Sequence, residues 1–258
     1  DKTDFDCTNL GSIVATNTVT LTVTDNHNNV STATASVTVE DKIAPTFTLC
    51  SGDQTQFTNS GTCTYTKTDT DWDATATDNC GVDSLTYKLS GDTVDNTGTG
   101  TSLNGVVFNK GVTTITWTAV DASGNSETCS YTLTVTDNEN PTASAQTATV
   151  ALERSGKVEV IPSQIDNNSS DNCGIVTYQI SKSELSGYGE SVEFECADIG
   201  SNIVWLKVID AAENSNVTYT TVTVEDTQAP MVDASDISNL ANVTDPAGDC
   251  TFTYTGTD

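Results

Sequence analysis

The chain predicts an all-β protein, a tandem series of β-sandwich repeats stacked end to end in a rod, and three observations lead there. Apolar residues alternate with Thr or Ser over most of its length, as in Ile115, Trp117 and Ala119 and again in Tyr131, Leu133 and Val135. A period of two sets one strand face against a core and the other in water. The composition, dominated by Thr, Asp, Asn, Val and Ser, favours strands and turns over helices. The third observation is an internal repeat.

A strand ending in Asp occurs three times, as TVTLTVTD to Asp25, TTITWTAVD to Asp121 and NIVWLKVID to Asp210, with an Asn four residues later at Asn29, Asn125 and Asn214. A second alternating strand then runs into an acidic linker: SVTVEDKIAP, YTLTVTDNENP and TVTVEDTQAP. From the first Asp to the linker Asp is 16 residues each time (25 to 41, 121 to 137, 210 to 226), and a proline follows at Pro45, Pro141 and Pro230. Fixed spacing of this kind marks tandem structural units. Residues 1–40 read as the back half of a repeat, 41–136 and 137–225 as two complete repeats of 96 and 89 residues, and 226–258 as the opening of a further one. Both ends fall inside a repeat, so a polypeptide continuing in both directions is expected. Strands of about 5–8 residues in units of this length suggest about seven strands per sandwich. The Asp-x-x-x-Asn stretch becomes the hairpin loop joining the last two strands. Each linker proline restricts the chain and spares a strand N–H where a new sheet begins.

Charge narrows the function. With 36 acidic and 9 basic residues the net charge is −27. Nucleic acid is excluded as a partner, because phosphate binding is driven by Lys and Arg. An anionic membrane surface is disfavoured for the same reason, and divalent cations are the natural counterions. No apolar run is long enough to span a bilayer as a helix, and no segment reads as a signal peptide. Nothing marks an enzyme: there is no nucleophile with a histidine base, no phosphate loop and no H-E-x-x-H, and the single histidine, His27, sits in a hairpin loop. Acidic loops repeated in register argue for structure, since catalysis needs one site rather than a series.

Eight cysteines without a Cys-x-x-Cys pair predict disulfides and an oxidising compartment. Counted from the linkers, Cys50 and Cys129 of one repeat correspond to Gln146 and Thr218 of the next. Their joint absence there suggests a Cys50–Cys129 bond. Elimination then pairs Cys63 with Cys80 and Cys173 with Cys196, and puts the partners of Cys7 and Cys250 outside the segment. Spacing alone leaves this connectivity open.

DNCGV at 78–82, DNCGI at 171–175, DASGNSETCSYTLTVTD at 121–137 and the linkers resemble hyalin-type (HYR) and related immunoglobulin-like repeats. The wording of FDC…TVTLTVTDNHN and SSDNCGIVTYQIS is similar to repeats in giant surface adhesins of Bacteroidota, including gliding-motility adhesins exported by the type IX system. The resemblance spans essentially the whole chain. It implies a secreted, extracellular, cell-surface stalk whose partners are its neighbouring repeats, the export machinery, and a surface or glycan reached through a tip elsewhere.

In an immunoglobulin-like topology the loop before strand C and the loop between F and G lie where the chain enters. Glu40, Asp41, Asp78, Asn79, Asp121 and Asn125 would meet at one such pole, and Asp137, Glu139, Asp171, Asn172, Asp210 and Asn214 at the next. Calcium takes about six to eight oxygen ligands, mostly carboxylates and carbonyls, so each set predicts a calcium site that stiffens a hinge. The competing reading is that Asp and Asn simply form turns, where their side chains bond the backbone. Trp117 and Trp205, on the penultimate strands, are expected in the cores. Trp72 is expected to cover a core end, the alternative being a sugar-stacking platform in a glycan-binding module. An accessory region of a secreted hydrolase and a filament or surface-layer subunit are further alternatives.

Overall fold

The computed structural model describes residues 4–10, 17–94 and 100–229, with the backbone of 243–244 and 251–252. The chain divides into two compact units, the first comprising Asp1–Asn59 and Thr64–Thr136, the second Ser60–Cys63 and Asp137–Asp258. Pro230 and Cys250 lie outside the described residues.

In the first unit, β1 (Thr18–Thr24) and β2 (Val30–Ser36) form an antiparallel hairpin. The sandwich that follows contains β3 (Thr46–Leu49), β4 (Gln54–Phe57), β5 (Thr64–Thr66), β6 (Thr75–Thr77), β7 (Val82–Gly91), β8 (Val107–Asn109), β9 (Gly111–Asp121) and β10 (Ser126–Thr136). One sheet has the order β4-β10-β9-β7, with β4 parallel to β10 and the other pairs antiparallel. Across from it lie the pairs β3–β6 and β5–β8. Phe108 packs between the layers with Ile115, Trp117 and Leu133, and Phe47 and Tyr65 lean on this cluster.

The second unit repeats the plan with β11 (Ala148–Ala151), β12 (Lys157–Val160), β13 (Ile175–Ser181), β14 (Val192–Glu195), β15 (Gly200–Asp210) and β16 (Ser215–Glu225). Its main sheet is β11-β16-β15-β13, again with the first strand parallel to its neighbour, and β12 pairs with β14. The core holds Val160, Ile165, Ile180, Phe194, Val204, Leu206 and Val222.

Period-two burial runs to the end of the penultimate strands. In β9 the inward residues are Thr113, Ile115, Trp117, Ala119 and Asp121; in β15 they include Val204, Leu206, Val208 and Asp210. Each strand therefore ends with a carboxylate on its core side, only 3% exposed at Asp121 and 1% at Asp210. The same parity corrects the expectation for Trp205. It lies five residues before Asp210, an odd offset, whereas Trp117 lies four before Asp121. Trp205 therefore points outward, half-buried against Tyr219 at 5.0 Å between ring centroids, and Leu206 takes the core position. Trp72 is buried in the first core, its carbonyl accepting a hydrogen bond from the Tyr131 hydroxyl. Lys67, itself 2% exposed, lies over its ring at 4.4 Å and pairs with Asp69 and Asp71.

Cys50 and Cys129 are bonded, with Cα atoms 6.4 Å apart. Three other assignments by elimination are overturned. Cys80 bonds Cys7, at a Cα distance of 5.2 Å, so Cys7 finds its partner within the segment. Cys173 bonds Cys63 at 4.8 Å rather than Cys196. Cys196 is also disulfide-bonded. Elimination had assumed that bonds close within a repeat. The folded chain instead lays the 3-10 turn Cys7–Asn9 beside the loop at Cys80, and the loop Ser60–Cys63 beside the loop at Cys173.

Candidate metal centre

Three kinds of loop build the site, and each holds its aspartate by the local bonding its sequence dictates. In the hairpins, the Asp-x-x-x-Asn loop closes on itself three times over. Asp121 Oδ1 accepts from the N–H groups of Ser123 and Asn125, and its Oδ2 accepts from Asn125 Nδ2 at 2.7 Å. Asp210 does the same with Ala212 and Asn214, and Asp25 with His27 and Asn29. The residue before each Asn takes positive φ: Asn28 at 63°, Gly124 at 88° and Glu213 at 68°. In the Asp-Asn-Cys-Gly loops, Asp78 Oδ1 accepts from Cys80 N–H and Asp171 Oδ2 from Cys173 N–H, and the glycines end the turns at φ 98° and 93°. In the linkers, Asp41 Oδ1 accepts from Ile43 N–H and Asp137 Oδ1 from Glu139 N–H. All three loops are turns in which the carboxylate caps nearby backbone N–H groups.

Turn formation accounts for both oxygens of Asp121 and Asp210 and for one oxygen of Asp41, Asp78 and Asp171, but not for their convergence. Asp41, Asp78 and Asp121 each bring a carboxylate oxygen within 4.8 Å of the others, and Asp137, Asp171 and Asp210 do so in the second unit. Asp41 Oδ2, Asp78 Oδ2 and Asp171 Oδ1 are buried and have no hydrogen-bond partner among the described residues, and Asn172 Oδ1 is in the same position. A buried acceptor without a donor is costly, more so when charged, and three such anions repel. A cation resolves both problems. Ca²⁺ lies about 2.3–2.6 Å from its oxygens, so ligands on opposite sides of one ion are about 5 Å apart, the scale of each trio. The donors are all oxygens, which suits a hard divalent ion rather than zinc or copper.

Asp121 combines burial with charge. Burial pushes its carboxyl up, but the donors from Asn125, Ser123 and Gly124 outweigh this and hold it below the usual range. A cleft of about 690 Å³ is lined in part by Asp41, Ser123 and Asn125.

The other six expected residues make the following bonds. Asn125 Nδ2 also donates to the carbonyls of Asp41 and Ile43, and Asn214 Nδ2 to that of Asp137, so these amides tie the hairpin to the linker. Asn79 and Asn172 donate to Asp41 and Asp137. Glu40 forms a solvent-exposed pair with Lys42, and the Lys42 ammonium holds its carboxyl below the usual range. Glu139 accepts from Gly61 N–H at 3.0 Å; the Ser60 hydroxyl and that N–H depress its carboxyl. Sequence reasoning missed Cys80 and Cys173 as neighbours of the trios, although each directly follows the Asp-Asn pair in D-N-C-G.

No protein-family profile matches the chain, and none of the curated proteins does. Among solved structures, protocadherin gammaB7 EC3-6 is 15% identical, with 80% of this chain and 57% of that chain covered at a TM-score of 0.40. The four N-terminal Ig domains of Dscam1 isoform 7.44 are 12% identical over 77% of this chain and 51% of that one, also at 0.40. Human mucin-like protocadherin EC1-2 is 12% identical, with coverages of 72% and 98% and the same TM-score. The chain thus spans little more than half of the first of these. At these identities and TM-scores nothing is carried over from them.

Proposed function

We propose that the chain is a non-catalytic stalk segment of a large secreted cell-surface adhesin, in which each sandwich holds a calcium ion that fastens the incoming linker to two of its loops. The observation that carries this reading is recurrence. The trio Asp41, Asp78, Asp121 reappears as Asp137, Asp171, Asp210 with the same three loop types and the same hydrogen bonds. Asp25 closes its hairpin with the same bonds to His27 and Asn29. A linker gripped by a divalent ion passes tension along the chain to the sandwich it enters. Disulfides resist unfolding of the same units, and the charge of −27 keeps neighbouring stalks apart. Disulfide content favours an extracytoplasmic location. The hyalin-type likeness, division into repeats at 41 and 137, and a role in gliding belong to the same proposal.

The glycan-binding alternative relied on Trp72 as an open platform, and Trp72 is only 6% exposed. Thermal unfolding and small-angle scattering with calcium and with chelator test the leading reading. A higher melting temperature and a narrower spread of chain dimensions in calcium are expected; identical curves in both conditions would remove it.

A further inference from the structure

Each trio has a disulfide two residues along the chain from its middle aspartate, and the third described disulfide has neither cysteine in such a loop. Cys80 follows Asp78 and Asn79, and Cys173 follows Asp171 and Asn172, whereas Cys129 sits in β10 opposite Trp117 of β9. In the Asp-Asn-Cys-Gly loop the three residues act together. The aspartate presents one oxygen to the trio and hangs by the other from the cysteine's own N–H, at 2.8 Å for Asp78 and 2.7 Å for Asp171. The asparagine amide reaches the linker aspartate, and the cysteine is covalently fixed. In the second unit a closed circuit results. Glu139 of the linker holds Gly61, Asn172 donates to Thr62 O at 2.9 Å, and Cys63 is bonded to Cys173. In the first unit Cys7 belongs to a 3-10 turn whose ends are closed by Asp6 and Asn9, a rigid anchor for the bond to Cys80.

We infer that Cys7–Cys80 and Cys63–Cys173 are positioning elements of the cation sites, holding the middle aspartate of each trio in place before the ion arrives, so that cation affinity and disulfide integrity are coupled. This rests on the calcium reading above. Three carboxylates that repel one another spread apart when no ion is present, and the ion must then regather them. A cross-link at the residue whose N–H carries Asp78 or Asp171 removes that freedom in advance. Coupling is reciprocal at equilibrium: if the bond tightens the ion, the ion shifts the bond's reduction equilibrium toward the disulfide by the same factor, here about tenfold, within the usual range for coupled sites. Reduction by a dithiol exchanges the protein disulfide for the reagent's cyclic disulfide and leaves two protein thiols, with no other reactant needed.

The test uses the full chain and calcium itself. Calorimetric titration of the wild type, of C7S/C80S, of C63S/C173S and of C50S/C129S is expected to show two sites in the wild type. About tenfold weakening of one site is expected in each of the first two variants, and no change of affinity in the third. Wild-type chain is also exposed to dithiothreitol with calcium or chelator, and alkylated cysteines are located by mass spectrometry. Calcium should slow reduction at Cys80 and Cys173 and leave Cys50–Cys129 unaffected, a readout that needs no variant to fold. Calcium binding that is equal in all variants, or reduction that calcium slows equally at all three bonds, overturns the coupling while leaving the calcium sites standing. A wild type that binds no calcium overturns both.

Discussion

Replacing Asp171 with Asn separates a carboxylate that caps a turn from one that binds a cation. Asp171 Oδ2 accepts from Cys173 N–H, a bond an amide oxygen can keep, while Oδ1 is buried without a donor beside Asp137 and Asp210. At a separation of 4.8 Å two like charges repel by about 3 kcal/mol in a medium of effective dielectric about 20. Asp171 faces two such neighbours. Side-chain relaxation and water recover most of this, so a net gain of about 1 kcal/mol for Asp171→Asn in chelator is a restrained expectation, worth roughly 4–8 °C in melting temperature for a domain of this size. In calcium the order reverses. At a hundredfold excess over Kd a bound ion stabilises by about 2.7 kcal/mol, which the variant forfeits. Differential scanning calorimetry of wild type and variant, each in calcium and in chelator, reads the four values. The reasoning is refuted if the variant melts lower than wild type by the same amount in both conditions, since Asp171 would then be a turn cap and nothing more.

Acid should dissociate the ion. Asp121 has its carboxyl depressed in the folded state, so its contribution is present above the ordinary aspartate value near 3.8 and disappears as pH falls through the lower folded value. The calcium-induced rise in melting temperature is therefore expected to hold through neutral and mildly acidic pH and to be lost as pH falls from 3.8 toward the lower folded value; a rise that does not shrink on acidification would contradict carboxylate ligation. Leu206→Ala, at a fully buried position, should cost about 2–5 kcal/mol in chemical denaturation, and Trp205→Ala much less because its ring lies on the outer face. Equal losses would reverse the facing assigned to β15. Trp72→Ala should lower stability by about 3–5 kcal/mol without changing retention on glycan arrays, and a selective loss of glycan binding would restore the alternative set aside above.

Much of this was legible in the chain because single residues serve two purposes. Asp121 and Asp210 close their hairpins and end the inward face of their strands, so the Asp-to-linker spacing reported the hairpin and the pole at once. Trp205 was misplaced although the cue was present: parity counted back from Asp210 puts Leu206 inward. The amides were harder. Asn125 and Asn214 stand at the right spacing for ligands, but spacing cannot tell which end of an amide faces the cluster, and here the nitrogens are committed to Asp121, Asp210 and the linker carbonyls. The bond between Cys63 and Cys173 spans 110 residues, and no local pattern encodes a separation of that size.

The central claim is that each trio of aspartates is one cation site. Crystals of the chain grown or soaked with a lanthanide in place of calcium test it directly through anomalous scattering. The account predicts a peak bonded to oxygens of Asp41, Asp78 and Asp121 and another bonded to Asp137, Asp171 and Asp210. Peaks confined to other surface carboxylates, with both trios bare at saturating ion, would contradict it.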